Sequence, residues 1–214
     1  MSFCCVKTYN VVVVDDQNIP RKLFEMIVSN SEHYRLLYSL DSAAVAHVIC
    51  ERYDVDLVIM DIVMADGSNG LDAAERIKKH SPGTKILVVT SMVEENYLRR
   101  ARQIGVESFW YKETNDNELI EIMDRTMVGE SVFPTAPPDV MIGMIRASDL
   151  TAAEMDVLRK MTTGASNQEI ADDLGISIGT VKSHISRILS KTGCANRTSL
   201  AIEARMIGLG TRMG

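Results

Sequence analysis

Short continuous apolar runs alternate with amphipathic stretches through the first part of the chain. Val11 to Val14, Leu57 to Met60, Ile86 to Val89 and Phe109 to Tyr111 are unbroken in hydrophobicity, the pattern of strands buried on both faces of a parallel sheet. Tyr34 to Leu40 supplies a fifth strand-like segment. Between these runs, helical periodicity marks Ile19 to Asn30, Ser42 to Glu51, Gly70 to His80, Glu94 to Ile104 and Asp116 to Val128. Strands alternating with helices predict an α/β fold, a five-stranded doubly wound parallel sheet in the order 2-1-3-4-5.

The pattern breaks at Gly129 to Asp149, where Pro134, Pro137 and Pro138 suggest a linker with a short helix around Val140 to Arg146. Beyond it the periodicity is helical only, over Ala152 to Thr163, Asn167 to Leu174, Ile178 to Thr192 and Arg197 to Ile207. Thr151 with Glu154, and Ser166 with Glu169, have the spacing of a capping box, in which hydroxyl and carboxylate satisfy each other's orphan amides. Gly175 falls in the short turn between the second and third of these helices, where a helix-turn-helix needs one. The expected division is residues 1–129, a linker over 130–149, and a small all-α helix-turn-helix domain over 150–214.

The ends of the apolar runs carry the candidate chemistry. Val11 to Val14 leads into Asp15 and Asp16, Leu57 to Met60 into Asp61, Ile86 to Val89 into Thr90, and Phe109 to Tyr111 into Lys112. In open α/β sheets the ligand site lies beyond the carboxyl ends of the strands, so these side chains should converge. Three carboxylates can hold a divalent metal, while a hydroxyl and an ammonium bind the remaining oxygens of a phosphoryl group. Any one of them could simply cap the next helix. Together they describe a site for phosphorylating an aspartate.

Charge changes the picture of the second half. The net charge of −6 divides unevenly: up to Glu130 there are 14 basic against 21 acidic residues, and from Ser131 onward 9 against 8. Gly175 to Arg197 holds Lys182, Arg187, Lys191 and Arg197 with no acidic residue, which suits contact with nucleic acid by that segment alone. Within Ile178 to Thr192, one stripe holds Val181, Ile185, Ile188 and Leu189, while Ser183, Ser186, Arg187 and Ser190 face away with Lys182 on the flank. That outer arc of hydroxyls and cations fits between phosphate walls. A merely solvated face is the alternative.

No apolar run approaches the roughly 18 residues of a membrane span, and Met1 to Asn10 lacks a secretory apolar region, so a cytoplasmic protein without membrane contact is expected. Cys4, Cys5, Cys50 and Cys194 match no metal-ligand spacing and read as reduced thiols. The vicinal Cys4 and Cys5 are weak evidence of redox activity.

The strand-end constellation resembles the receiver domain of two-component response regulators, a flavodoxin-like fold. Leu150 to Ile207, with Thr180-Val181-Lys182-Ser183-His184 close to the family signature, resembles the LuxR-type helix-turn-helix of the NarL/FixJ subfamily. The resemblance implies that Asp61 accepts a phosphoryl group from a sensor histidine kinase. Asp15, Asp16, Asp61 and the backbone carbonyl of Val63 would hold Mg²⁺, Thr90 and Lys112 would contact the phosphoryl oxygens, and Phe109 would be the switch aromatic. It implies further that Lys182, Ser183 and Ser186 face DNA bases, that Thr180, Arg187 and Lys191 lie near the backbone, and that His184 is structural. Phosphorylation would switch homodimerisation and promoter binding, with RNA polymerase as a further partner. Val63 and Met92 would flank the path of the water that removes the phosphoryl group.

Two features depart from the receiver pattern. Ala65 stands where many receivers have proline, and Asp66-Gly67-Ser68-Asn69 makes the loop before Gly70 one residue longer than usual. Two alternatives follow: a transcription regulator that works without phosphorylation, and an aspartyl-phosphate phosphotransferase or phosphatase. The second lacks the Asp-X-Asp pattern such enzymes use, because Val63 stands at its second position. The expectation is a phosphoacceptor regulator rather than an enzyme.

Overall fold

The computed structural model describes residues 7–112 and 117–209, apart from the side chains of Glu95, Asn117 and Glu118. They form two compact units: residues up to Thr90 with Glu95–Ala136, and Ser91–Glu94 with the residues from Pro137 onward.

The first unit alternates strands and helices throughout: β1 (Tyr9–Val14), α1 (Asn18–Ser29), β2 (Tyr34–Leu40), α2 (Ala46–Arg52), β3 (Leu57–Asp61), α3 (Gly70–His80), β4 (Lys85–Thr90), α4 (Glu95–Ile104), β5 (Ser108–Tyr111) and α5 (Asn117–Met127). The strands are parallel in the order β2-β1-β3-β4-β5, as the sequence predicts. The apolar runs are continuous because both faces of the sheet are covered. On one face Val11, Val13, Leu57, Ile59, Leu87, Val89 and Trp110 pack with Phe24 and Val28 of α1 and Leu119 and Met123 of α5. The intervening residues Val12, Val14, Val58, Met60, Ile86 and Val88 are fully buried as well.

Chain pairing does not stop at β5. Val132 bridges to Ser108 in parallel, and its carbonyl accepts the Phe109 amide at 2.8 Å. Phe133 then places its ring 6.2 Å from that of Phe109, under the guanidinium of Arg102. The start of the segment read as a linker is therefore an added edge of the sheet.

The second unit holds β6 (Met141–Ile142), β7 (Ile145–Arg146), a 3₁₀ turn over Ala147–Asp149, and helices α6 (Ala152–Thr162), α7 (Asn167–Leu174), α8 (Ile178–Thr192) and α9 (Arg197–Met206). The short helix expected around Val140 to Arg146 is absent; an antiparallel hairpin stands there instead. Gly143 at φ +58 makes the turn, a conformation glycine adopts without steric cost. Helix starts follow the expected chemistry: Thr151 and Ser166 each form a reciprocal capping box with the glutamate three residues on. α7 ends at Gly175 in the left-handed conformation, φ 65, which lets the chain turn directly into α8.

Candidate functional site

Sheet register alone brings the first set of predicted residues together. Val14 pairs with Met60, so Asp15 and Asp61 leave adjacent strands side by side, and Asp61 pairs with Val89, one residue before Thr90. Thr90 in turn pairs with Tyr111, and its carbonyl accepts the Lys112 amide at 3.0 Å. One ligand oxygen from each of Asp15, Asp16 and Asp61 lies within 4.8 Å of the others. The Lys112 ammonium bridges two of them, 2.7 Å from Asp15 Oδ2 and 2.8 Å from Asp61 Oδ2.

The cluster is buried and held by backbone donors. Asp61 is 3% exposed and Asp15 fully enclosed. Asp61 Oδ1 accepts the Ile62 amide at 2.8 Å, and Asp15 Oδ1 the Gln17 amide at 2.9 Å. Burial pushes the Asp61 carboxyl up to about 6; the Lys112 ammonium and its hydrogen bond pull it down, and the charge of Asp15 adds to the rise. An all-carboxylate oxygen set of this kind suits a hard divalent cation such as Mg²⁺. Thr90 is buried at the end of β4, and Phe109 is buried on β5 with its ring 5.1 Å from that of Tyr111.

The loop that departs from the receiver pattern has a definite structure. Val63 pairs with Asn69 as an antiparallel bridge around Gly67, which sits at φ +82. The carboxylate of Asp66 accepts from the hydroxyls of Ser42 and Ser68 at 2.6 and 2.7 Å, and Ser68 Oγ accepts the Ala43 amide at 3.1 Å. These bonds pin the loop after β3 to the loop after β2. They also delay the start of α2 to Ala46 rather than Ser42, since the Ser42 hydroxyl is taken by the loop and by the Ala44 amide.

Two site residues escape sequence reasoning. Ala65 donates its amide to Asp16 Oδ2 at 2.7 Å, a bond proline cannot make. Gly70 packs against β3 so closely that a Cβ there would lie 1.8 Å from the Asp61 carbonyl oxygen. The glycine was legible as the start of α3, but its closeness to Asp61 was not. Of the cysteines, Cys50 is buried, which raises its thiol to about 12. The Cys194 thiol points at Glu203 Oε2, 3.1 Å away. Cys4 and Cys5 lie outside the described residues.

The second candidate surface is α8. Val181, Ile185 and Ile188 are buried, while Thr180, Lys182, Ser183, Ser186, Arg187 and Ser190 are exposed. Thr180 is partly engaged at the helix start, its hydroxyl 2.9 Å from that of Ser177. His184 is half-buried against the domain. The ammonium of Lys191, whose side chain is 37% exposed, lies 2.7 Å from Glu154 Oε2 and 3.1 Å from the Asp149 carbonyl, which joins α8 to α6. Arg197 is half-buried, its guanidinium donating to Asn167 Oδ1 and the Ala165 carbonyl. Of the four cations in that segment, Lys182, Arg187 and Lys191 are exposed.

Comparison with known proteins agrees with both halves. Residues 11–124 match the response regulator receiver domain, and residues 148–204 match the luxR family of bacterial regulatory proteins. Response regulator protein VraR of Staphylococcus aureus (strain Mu3 / ATCC 700698) is 34% identical over 205 residues, covering 92% of this chain and 96% of the relative. Among solved structures, the RcsB response regulator of Salmonella typhimurium superposes with a TM-score of 0.55 at 20% identity, covering 94% of this chain and 99% of that one. An RcsB–DNA complex gives 0.56 at 20% identity, covering 93% and 98%. The response regulator domain of Thermotoga maritima CheB gives 0.52 at 23% identity, covering 57% of this chain and 98% of the other. At these identities the structural likeness concerns the fold.

Proposed function

The chain belongs to the response regulators, joining a receiver domain to a luxR-type DNA-binding domain in a regulator of transcription, and from that premise we propose that phosphorylation of Asp61 controls DNA binding through α8. The observation that carries the reading is the bridge from Lys112 to both Asp15 and Asp61 inside a cluster of three carboxylates. A lone buried carboxylate would call for one counter-charge, but not for two further carboxylates beside it. A phosphoacceptor needs them, because the transferred group brings its own negative charge into a buried place.

In this reading a carboxylate oxygen of Asp61 attacks the phosphorus of a sensor histidine kinase's phosphohistidine, and the phosphorus–nitrogen bond breaks as the aspartyl phosphate forms. Asp15, Asp16, Asp61 and the Val63 carbonyl would hold Mg²⁺, which supplies charge neutralisation to the phosphoryl oxygens. Lys112 exchanges a carboxylate oxygen for a phosphoryl oxygen, and the Thr90 hydroxyl binds another, leaving space into which Phe109 turns. Lys182, Ser183 and Ser186 read bases, while Thr180, Arg187 and Lys191 contact phosphates. RcsB, which shares the fold, has been captured on DNA, in one structure as two dimers bound to two parallel DNAs; a homodimer on promoter DNA, working with RNA polymerase, is the corresponding expectation here. No described helix is long and apolar enough to cross a membrane, and a promoter-binding protein belongs in the cytoplasm.

The deciding experiment is mass spectrometry after treatment with acetyl phosphate and Mg²⁺. One phosphoryl group on the wild-type protein and none on Asp61→Asn is expected. An equal phosphoryl load on the Asn variant overturns the assignment. Sustained turnover of a phosphomonoester would favour the enzymatic alternative.

A further inference from the structure

The hairpin that precedes the helix-turn-helix is built onto the end of the reading helix. Gly143, at its turn, has φ +58, and a Cβ on it would stand 2.0 Å from the Thr192 carbonyl oxygen, the last of α8. The next residue, Met144, donates its amide to that same carbonyl at 2.9 Å. Met144 also lays its side chain over Gly193, where a Cβ would be 3.0 Å from the methionine Cε. The Gly143 amide donates to Glu203 Oε1 on α9 at 2.7 Å, while the other oxygen of Glu203 faces the Cys194 thiol. The hairpin itself is firm: Ile142 is fully buried, and the Ala147 amide closes it onto the Val140 carbonyl at 2.8 Å.

We propose that the Gly143–Met144 turn is a positioning element for DNA reading, which fixes the pose of α8 from its carboxyl end. The proposal rests on α8 being the helix that reads DNA. A helix of 15 residues behaves as a rod about 22 Å long. A shift at Thr192 is therefore carried to Lys182, Ser183 and Ser186. Base-edge hydrogen bonds tolerate about 0.5 Å and 10–20° of misplacement, whereas contacts to the phosphate backbone are far more forgiving. A sequence-reading helix needs an anchor of this precision, and the segment that supplies it follows the receiver in the chain.

The test uses the full-length protein and two duplexes: one enriched by the wild type from a randomised pool, and one of random sequence. Gly143→Ala should lower affinity for the enriched duplex about tenfold, the worth of one good base contact, and change affinity for the random duplex less than twofold. Circular dichroism reports whether the domain still folds. Glu203→Ala removes the acceptor of the Gly143 amide without adding any atom, so it should give the same selective loss, and Glu203→Gln, which keeps a carbonyl there, should restore binding. Equal losses on both duplexes, or unchanged affinity for the enriched one, overturn the proposal. Lys182→Ala, run alongside, tests the reading helix separately: if it leaves both affinities unchanged, the assignment of α8 fails rather than the role of the hairpin.

Discussion

The ammonium of Lys191 lies 2.7 Å from the carboxylate of Glu154, 37 residues earlier in the chain. The same carboxylate oxygen accepts the Thr151 amide in the capping box of α6. Glu154 is 3% exposed, so one buried acid joins the start of α6 to the last turn of α8. A surface pair of this composition would contribute little; here the Lys191 side chain is 37% exposed but Glu154 is buried, so removing the lysine, which leaves a buried acid without its cation, is the costly change.

The Lys191 hydrogen bond, followed by the bonds from Thr151, holds the Glu154 carboxyl down at about 2 against an ordinary 4.5. A carboxyl depressed in the folded state stabilises above its unfolded value, and this contribution drains away as pH falls from 4.5 towards 2. Lys191→Met should cost about 1.5–3 kcal/mol at neutral pH, with a gap to wild type that narrows below pH 4.5. Urea melts at pH 7 and pH 3 measure both; a gap that is constant with pH would place the effect elsewhere.

Asp61 has the opposite sign. Burial raises its carboxyl to about 6 from 3.8, so the folded receiver binds this proton more tightly than the unfolded chain, and ionised Asp61 destabilises it at neutral pH. Its contribution is most favourable below pH 3.8 and is lost as pH rises through 6. Asp61→Asn should therefore stabilise the metal-free receiver by about 1–3 kcal/mol at pH 7. Mg²⁺ should then raise the melting temperature of wild type more than that of the variant. An Asn variant that melts lower than wild type in metal-free buffer would contradict this.

Ala65 explains one departure from the receiver pattern. Its amide bonds Asp16 Oδ2, and Ala65→Pro removes that donor. Groups that orient metal ligands are commonly worth 10–100-fold in metal affinity; about tenfold weaker Mg²⁺ binding, read by titration of intrinsic Trp110 fluorescence, is the expected result. Ala65→Gly keeps the amide and should bind as wild type does.

On α8, Lys182 and Arg187 should behave differently. Lys182→Ala should weaken binding to a preferred duplex by about 1–3 kcal/mol while sparing random DNA. Arg187→Ala should weaken both alike and reduce the salt slope by about one unit. Binding isotherms at several salt concentrations separate the two; a Lys182 variant that loses equally on both duplexes contacts phosphate instead.

Most of this protein is legible in its sequence for identifiable reasons. Buried parallel strands leave unbroken runs such as Leu57 to Met60, and the first polar residue after each run marks the site. Capping boxes such as Ser166 with Glu169 are local, so α7 and α8 have the predicted bounds. What escaped depends on distant partners. The hairpin of Met141 to Arg146 has no strand pattern strong enough to outweigh a helix; it forms because Thr192 and Glu203 receive its turn. The ion pair of Lys191 with Glu154 escapes because Glu154 is seen only as half of a capping box. The pinned loop needs Ser42 beside Asp66, 24 residues apart.

The proposed phosphorylated state should owe its lifetime to two side chains that cannot serve as a general base. Val63 stands two residues beyond Asp61, and Met92 two beyond Thr90. By resemblance to receivers these positions border the approach of the water that hydrolyses an aspartyl phosphate. Neither valine nor methionine can orient a water molecule or accept its proton, and general-base assistance of that kind is worth about 10²–10⁴ in rate where it exists. Val63 is also held in place by its bridge to Asn69 in the pinned loop. The phosphorylated protein should thus persist for many minutes or longer, suited to sustained transcription rather than rapid resetting. Val63→Asn with Met92→Glu supplies polar groups at both positions and should shorten that lifetime at least tenfold. The protein is loaded with acetyl phosphate, the donor is removed, and phosphate loss in Mg²⁺ is followed for both forms. A wild-type half-life of seconds, or a double variant no faster than wild type, would show that these two side chains do not set the rate.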